Sequence, residues 1–468
     1  KVKKNGEWLE VDWQEALAFA IEGIKNNAER PEQLGVLASK NASLEEYYLM
    51  QKLARGFGTE NIDFRLDHAN LSPGSSMDSS ITLSEIESVD HALILSSYTR
   101  LEQPMINHRI RKAVINGATV NTINSKKFDF NFKTKIDLLA SPQTLLPALQ
   151  SILKSLYLKT KADLPEQLSK VNFSDEHDKF ADDLIASENG VIVLGEHLNS
   201  NSSSSVIIST VSQIARISNS KIANLTLSGN AHSAEKVGFI PTNQGMNAGS
   251  MLTESSKAFL LMDVDSQYDF FNPKLAMDLF SKDDVFVVSL TSFEDQSTLL
   301  SADVILPMAS FYETSGTHIN FDGIAQSFSA SVKSPGDSKP GWKIIKVMAD
   351  LLKLEGFNFV DSSQVAEEAL LSSKVQTQIN GSIAESFGDS DITTLWQYAP
   401  YAIDNVTRRA KALQDSNIGK INSAYIAKST AKKLSLSEDD LYLGVPVSIS
   451  DDVAEDCVFV HTSQARRV

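Results

Sequence analysis

The sequence predicts an α/β protein built on parallel sheets, followed by a small β region. Short apolar runs of strand length lack polar alternate positions, the pattern of strands covered on both faces. Longer segments of helical apolar period separate them, as in repeated strand–helix units. After Asn417 the pattern changes to short alternating runs. A length of 468 residues, 42% hydrophobic and 22% charged, is that of an ordinary globular chain of two to four domains.

In chain order, Asp12 N-caps a first helix whose apolar stripe passes through Leu17 and Ile21. A strand is expected at 34–39 and a helix at 44–57. Strands at 92–97 and 118–123 bracket a helix at 104–116, and helices at 144–157 and 175–187 follow. Residues 190–195, Gly-Val-Ile-Val-Leu-Gly, form an apolar strand bounded by glycines. The polar loop 199–205 supplies capping residues to a helix at 204–218. Further strands are expected at 221–227, 257–262, 284–290 and 302–306, then a helix at 342–354. Residues 159–172 are charged and weakly periodic, a connection between two lobes. From 357 to 390 the pattern loosens, and the closing β runs are 440–443, 445–449 and 458–461.

Forty-three Lys and Arg against 59 Asp and Glu leave a net charge of −16. So acidic a surface repels phosphate backbones and argues against nucleic acid as a partner. The lone cysteine, Cys457, forms no internal disulfide, four-thiolate zinc site or iron–sulfur cluster. No apolar run approaches the ~20 residues that cross a bilayer, so no direct membrane insertion is expected. The N-terminus, Lys1-Val-Lys-Lys-Asn-Gly6, lacks a signal peptide, and its first residue points to a piece of a longer chain.

The sharpest motif is Ala302-Asp-Val-Ile-Leu-Pro307, then Glu313-Thr-Ser-Gly-Thr-His-Ile-Asn320 and Phe321-Asp-Gly-Ile-Ala-Gln-Ser-Phe328. Proline ends the strand, and Asp322-Gly323 has the composition of a type I′ hairpin turn, so its reading is architectural. Arg55-Gly-Phe-Gly-Thr59 and Pro241-Thr-Asn-Gln-Gly-Met-Asn-Ala-Gly249 are glycine-bearing loops of the kind that cradle phosphate, but neither carries a dinucleotide or P-loop fingerprint, and both read as turns. The eight histidines (His68, His91, His108, His177, His197, His232, His318 and His461) show no metal-ligand spacing. Glu176-His177-Asp178 is a solvated helix start, because adjacent helical residues do not converge. His108, Arg109, Arg111 and Lys112 form a basic face, exposed or in contact with an acidic partner or anion.

Taken together, Ala302–Pro307, Glu313, Gly316-Thr317, Asn320, Gly323, Gln326, Pro335-Gly336 and Lys339-Pro340-Gly-Trp342 resemble the signature of the molybdopterin-oxidoreductase fold. More narrowly, Arg100-Leu-Glu-Gln-Pro104 and Asn107-His-Arg-Ile-Arg-Lys112 resemble the version in the large iron–sulfur subunit of NADH–quinone oxidoreductase, respiratory complex I. Lys4-Asn-Gly-Glu-Trp-Leu-Glu-Val-Asp-Trp-Gln-Glu-Ala-Leu17 is similar to the stretch that opens this domain after the cluster-binding region. The resemblance runs to about Leu354. Residues 422–440 are similar to a shortened relic of the family's C-terminal β-barrel. It implies a discontinuous larger α/β lobe (1–65 and 165–356), an inserted smaller lobe (66–164), an irregular or helical connector (357–416) and a barrel-like tail (417–468).

The departures from the family pattern set the functional expectation. Catalytic relatives bind molybdenum through a Cys or selenocysteine in a segment similar to Gly58–His68, and the matching position here is Asp67. The arginine after the hairpin glycine is replaced by Ile324, and 241–249 only loosely matches the segment that grips the pterin nucleotide. The resemblance therefore implies a noncatalytic scaffold with no catalytic, cofactor-binding or metal-binding residues. No molybdopterin is expected. The 2Fe–2S and 4Fe–4S clusters of full-length members belong to an N-terminal region absent here. Expected partners are the other peripheral-arm subunits of complex I, on the cytoplasmic side of the inner membrane. The alternatives are a molybdenum- or tungsten-pterin oxidoreductase of formate dehydrogenase type, or a metal-free nucleotide-binding module.

Overall fold

The computed structural model describes residues 1–68, 79–226, 229–242, 244–254, 256–372, 392–398 and 400–462. The chain divides into two compact units, Lys1–Leu71 with Ser228–Gln376 and Ala465–Val468, and Ser72–Leu227 with Thr377–Gln464.

In the first unit, seven strands among the described residues form one sheet. Their order is Glu7–Leu9, Val2–Lys4, Val304–Pro307, Phe286–Thr291, Ala258–Met262, Leu34–Ala38, Ile62–Asp63. The last five run parallel, and the N-terminal hairpin joins them antiparallel through Val2 and Val304. Alternate side chains leave a strand on opposite faces. Val36, Leu260 and Val288 thus enter one core, with helices Trp13–Asn27, Leu44–Phe57 and Gly341–Leu351. Leu37, Phe259, Leu261 and Val287 enter the other, with Ala248–Thr253 and Pro273–Phe280. Both faces are covered by helices, so the strands read mostly apolar, with Ser289, Thr291 and Asp63 the buried polar residues among the parallel strands.

The first part of the second unit is a five-stranded parallel sheet, in the order Ile136–Leu139, Thr119–Asn124, His91–Leu95, Gly190–Leu194, Lys221–Asn224. This displaces the lobe boundary expected at 164 and 165. Gly190–Leu194 and Lys221–Asn224, assigned above to the larger lobe, complete the sheet begun by His91–Leu95. The reason is packing: Phe180 and Leu184 of helix Asp175–Ala186 and Ile207 and Val211 of helix Ser204–Ser218 share one core with Leu149 and Leu153 of helix Pro142–Thr160. Strand 221–227 ends at Asn224, and Leu227 lies outside the described residues.

The rest of that unit holds a mixed sheet of order Thr393–Tyr398, Cys457–Thr462, Asn422–Ile426, Val445–Ile449, Leu441–Tyr442. This is the expected C-terminal β region, begun earlier than predicted: Thr393–Tyr398 lies within the connector assigned to 357–416. Residues 373–391 of that connector lie outside the described residues.

The hairpin also departs from expectation. Strands Gly316–Ile319 and Ala325–Phe328 pair with Ile319 opposite Ala325, leaving a five-residue loop in place of a two-residue type I′ turn. Gly323 adopts a positive φ of 74° and Asp322 does not. Instead Asn320 Oδ1 accepts the amides of Asp322 and Ile324, at 3.0 and 2.9 Å, and organises the turn from its side chain.

Helix Leu44–Phe57 anchors this hairpin. Ser43 and Glu46 form a capping box, Ser43 N donating to Glu46 Oε2 at 2.8 Å, and Gly58 ends the helix at φ 106°. Glu45 accepts the Thr317 amide at 2.9 Å and the Thr317 hydroxyl at 2.8 Å. Burial pushes the Glu45 carboxyl up to about 7 against these hydrogen bonds. A raised folded-state pKa stabilises the protein below the ordinary carboxylate range, and that contribution is lost as pH rises through about 7. Between pH 4 and 8 the native chain should therefore lose about 3 kcal/mol more stability than Glu45→Gln, which mimics the neutral acid. Urea denaturation across that range is the check, and superimposable profiles would refute the assignment.

Candidate functional site at the carboxyl ends of the strands

In an open parallel sheet the crevice beyond the carboxyl ends, where strand order reverses, is the place for a ligand. In the first unit the reversal lies between Leu34–Ala38 and Ala258–Met262, because the chain winds from the former to Ile62–Asp63 and from the latter outward to Val304–Pro307. Just past it come Ser39, Lys40 and Asn41 on one side and Asp263, at φ 51°, on the other. Non-glycine residues in this conformation are uncommon and concentrate at such sites.

Asp67 is half-buried here, and its Oδ2 accepts Lys40 Nζ at 2.7 Å. Its other oxygen, Oδ1, is buried, lies 3.8 Å from His68 Nε2, and has no hydrogen-bond partner among the described residues. Two residues earlier, Arg65 clamps Asp63 through Nε–Oδ1 at 2.9 Å and a second guanidinium nitrogen to Oδ2 at 3.1 Å. Both side chains are essentially buried. Burial alone would raise the Asp63 carboxyl, but the Arg65 guanidinium and the backbone amides that donate to it outweigh burial and hold it low.

Asp63 and, two residues before it, Asn61 engage the 241–249 loop. Met246 N donates to Asn61 Oδ1 at 2.7 Å, and Ala248 N to Asp63 Oδ2 at 3.1 Å. Gly245 packs so closely that a Cβ there would lie 2.2 Å from the Glu60 carbonyl oxygen. These two amides, in a loop that the sequence reads as a turn, are spent on the protein itself. Asn243 lies outside the described residues.

In the second unit the reversal lies between His91–Leu95 and Gly190–Leu194. Ser96 follows at φ 51°, and Ser97 N donates to Asn124 Oδ1 at 2.8 Å. Buried Glu102 accepts Ser97 Oγ at 2.7 Å and Gln397 Nε2 at 2.9 Å, and stands 3.3 Å from His197 Nε2. Phe459 packs edge-on against His197 and Phe128, with ring centroids 5.4 and 5.6 Å apart. Burial first, then the neighbouring His197 and Lys126, lowers the His461 imidazole to about 4. Gln397, Phe459 and His461 come from the C-terminal sheet, so this group draws in side chains from far along the chain, the nearest in sequence, Gln397, 295 residues from Glu102. Sequence reading missed this group. Glu102 lies in a quoted motif, but nothing local marks its partner.

The remaining candidates are placed separately. Gly58 is a helix stop, and Arg55 binds Glu60 Oε2 and the Gly238 carbonyl, both at 3.0 Å. Arg109 and Lys112 share Glu87, while His108 and Arg111 are exposed on helix Pro104–Ile115. Glu176 is exposed, Asp178 binds Lys159 at 2.9 Å, and His177 turns its Nδ1 inward. Ile324 is exposed. Cys457 is fully buried, and burial pushes its thiol up to about 12. Arg65→Met should cost about 3–5 kcal/mol in chemical denaturation, because Asp63 is left buried without its counter-charge. Adding Asp63→Asn should recover part of that loss, and a cost below about 1 kcal/mol would show that the pair does not hold the strand end.

Comparison with known proteins agrees with this architecture. The chain is 25% identical over 462 residues to F420-dependent formate dehydrogenase 1 subunit alpha of Methanococcus maripaludis, covering 83% of this chain and 66% of that one. It is 26% identical over 358 residues to the mitochondrial NADH dehydrogenase [ubiquinone] iron-sulfur protein 1 of Solanum tuberosum, covering 74% and 42%. It thus spans between two fifths and two thirds of these relatives. Acetylene hydratase from Pelobacter acetylenicus shares the fold at a TM-score of 0.75 and 13% identity, over 99% of this chain and 84% of that one. No helix among the described residues is long and apolar enough to cross a membrane. Residues 1–351 match the molybdopterin oxidoreductase family, and this chain belongs to it.

Proposed function

We propose that this chain is a noncatalytic structural region of the large iron–sulfur subunit of a NADH–quinone oxidoreductase, one that supports cluster-binding domains and docks other peripheral-arm subunits. The observation that carries the reading is Asp67. It stands where the resemblance places a Cys or selenocysteine ligand, and its carboxylate is neutralised by Lys40 at 2.7 Å. The loop amides taken up by Asn61 and Asp63, and the second crevice lined by Glu102, Gln397 and Phe459, support it further. A pterin cofactor needs a metal ligand and polar groups free to hold its arms; the pairing of Asp67 with Lys40 and the two loop amides taken up within the chain support a reading without it. In this reading the chain works on the cytoplasmic side of the inner membrane through interface area, of order 1,200–2,000 Å² for each stable contact.

One observation favours the formate dehydrogenase-like alternative: Asp67 Oδ1 is buried without a hydrogen-bond partner, and a carboxylate oxygen is a competent metal ligand. The two readings separate by composition. The chain should be expressed with molybdate and with tungstate in a host that loads a catalytic relative in parallel. It should then carry no stoichiometric molybdenum, tungsten or iron by elemental analysis, and release no fluorescent pterin. Stoichiometric molybdenum or tungsten with pterin would overturn the scaffold reading and make Asp67 the first residue to test as ligand.

A further inference from the structure

The C-terminal sheet has two faces with different neighbours, all within the second unit. Alternate residues leave each strand on opposite sides. Ala424, Ile426, Val447, Val458 and Val460 meet helix Lys428–Leu434 through Ala431 and give the sheet a core of its own. Leu395, Cys457 and Phe459 face the other way, against Phe128 and Leu139 of the α/β part. Two backbone hydrogen bonds close this docked face. Lys127 N donates to the Asp452 carbonyl and Ala454 N to the Ser125 carbonyl, both at 2.8 Å. One core thus belongs to the sheet itself and the other to its docking.

The docked face also buries titratable groups. His461 is 8% exposed and shares the face of Phe459, two residues before it. Its cross-strand neighbours are Gln397 on one side and Ser423 on the other. From the α/β part it meets His197 and half-buried Lys126, whose Nζ lies 4.6 Å over the Tyr425 ring and is drawn to Asp452. The carboxylate of the group, Glu102, is committed elsewhere: it accepts Ser97 Oγ and Gln397 Nε2, and stands 3.3 Å from His197 Nε2. His461 Nε2 has no hydrogen-bond partner among the described residues. Burial, His197 and Lys126 all disfavour a proton there, and lower the imidazole to about 4. Released into water, the same imidazole binds its proton at about 6.5. The released state therefore holds the proton more tightly, and docking weakens as pH falls between those two values.

We propose that the docked face is a proton-sensitive latch: a proton taken up by His461, opposed by Lys126 and His197, releases the C-terminal sheet from the α/β part while the sheet keeps its own core. Hydrogen–deuterium exchange of the whole chain, corrected for intrinsic exchange, reads the latch at the Lys127 and Ala454 amides. Between about pH 7.5 and about pH 5 their protection should fall about tenfold or more. Strands Asn422–Ile426 and Val445–Ile449 should keep theirs. In His461→Gln the two amides should stay protected throughout, although His91 and His177, also buried in this unit, still titrate. Lys126→Met, which keeps the aliphatic stem, should move the native transition about half a unit to lower pH. Unchanged protection in the native chain, or a loss spread evenly over the unit, would overturn the proposal. So would the native response persisting in His461→Gln, or a transition unmoved by Lys126→Met.

Discussion

Parallel strands are joined by crossing helices, so a parallel sheet is covered on both faces and its interior is closed to water. The other features of each unit follow from that constraint. The wholly buried strands Leu34–Ala38 and Ala258–Met262, or His91–Leu95 and Gly190–Leu194, carry apolar or glycine residues along their length except for His91 at the start of its strand. Polar groups therefore collect where the strands end. In the first unit these are Asp63, Arg65, Lys40 and Asp67, and in the second Ser97, Asn124, Glu102 and His197.

Groups gathered at such an end must find partners, because leaving one buried and unmatched costs about 1–3 kcal/mol, and more when it is charged. A cofactor is one source of partners. In this protein the chain itself supplies most of them. Asp63 is matched by Arg65 and by the amide of Ala248, and Glu102 by Ser97 and Gln397. A ligand entering either crevice would have to break such pairs and replace them at least as well. Asp67 Oδ1, like Asn124 Nδ2, His197 Nε2 and Gln397 Oε1, is buried without a hydrogen-bond partner among the described residues, and it is the atom where the two functional readings meet.

The sheets were legible because burial on two faces writes a continuous apolar run into the sequence, and helices 44–57 and 204–218 were read to the residue from their caps and period. Ile62–Asp63 and Ile136–Leu139 were not read. The first has two residues, and the second carries Asp137 at a half-exposed sheet edge, so neither forms a full apolar run. The lobe boundary failed for a related reason, since a strand's own sequence says that it is buried and not which sheet buries it. The hairpin turn failed because its geometry comes from the Asn320 side chain, outside the Asp-Gly pair that drew attention. Asp67 was found through resemblance. The Glu102 group was not found, because its members meet only after the C-terminal sheet has folded.

Membership of the molybdopterin oxidoreductase family is compatible with the proposed scaffold role once the signature residues are seen at work. Thr317 is bound by Glu45, Glu313 Oε2 accepts the Ser310 amide at 2.9 Å, and Asn320 shapes the hairpin loop. Gly316 leaves room for the Phe328 ring, and Gly341 for the Glu46 carboxylate, each within 3 Å of where a Cβ would stand. Such residues record how a helix, a hairpin and a sheet edge fit together, and any chain that keeps this packing keeps them whether or not it catalyses anything. A position like Asp67 is of another kind. In the proposed reading a carboxylate stands there in place of a thiolate, which changes the affinity for a soft metal. The fold is therefore read from the hairpin, and the proposed function turns on Asp67.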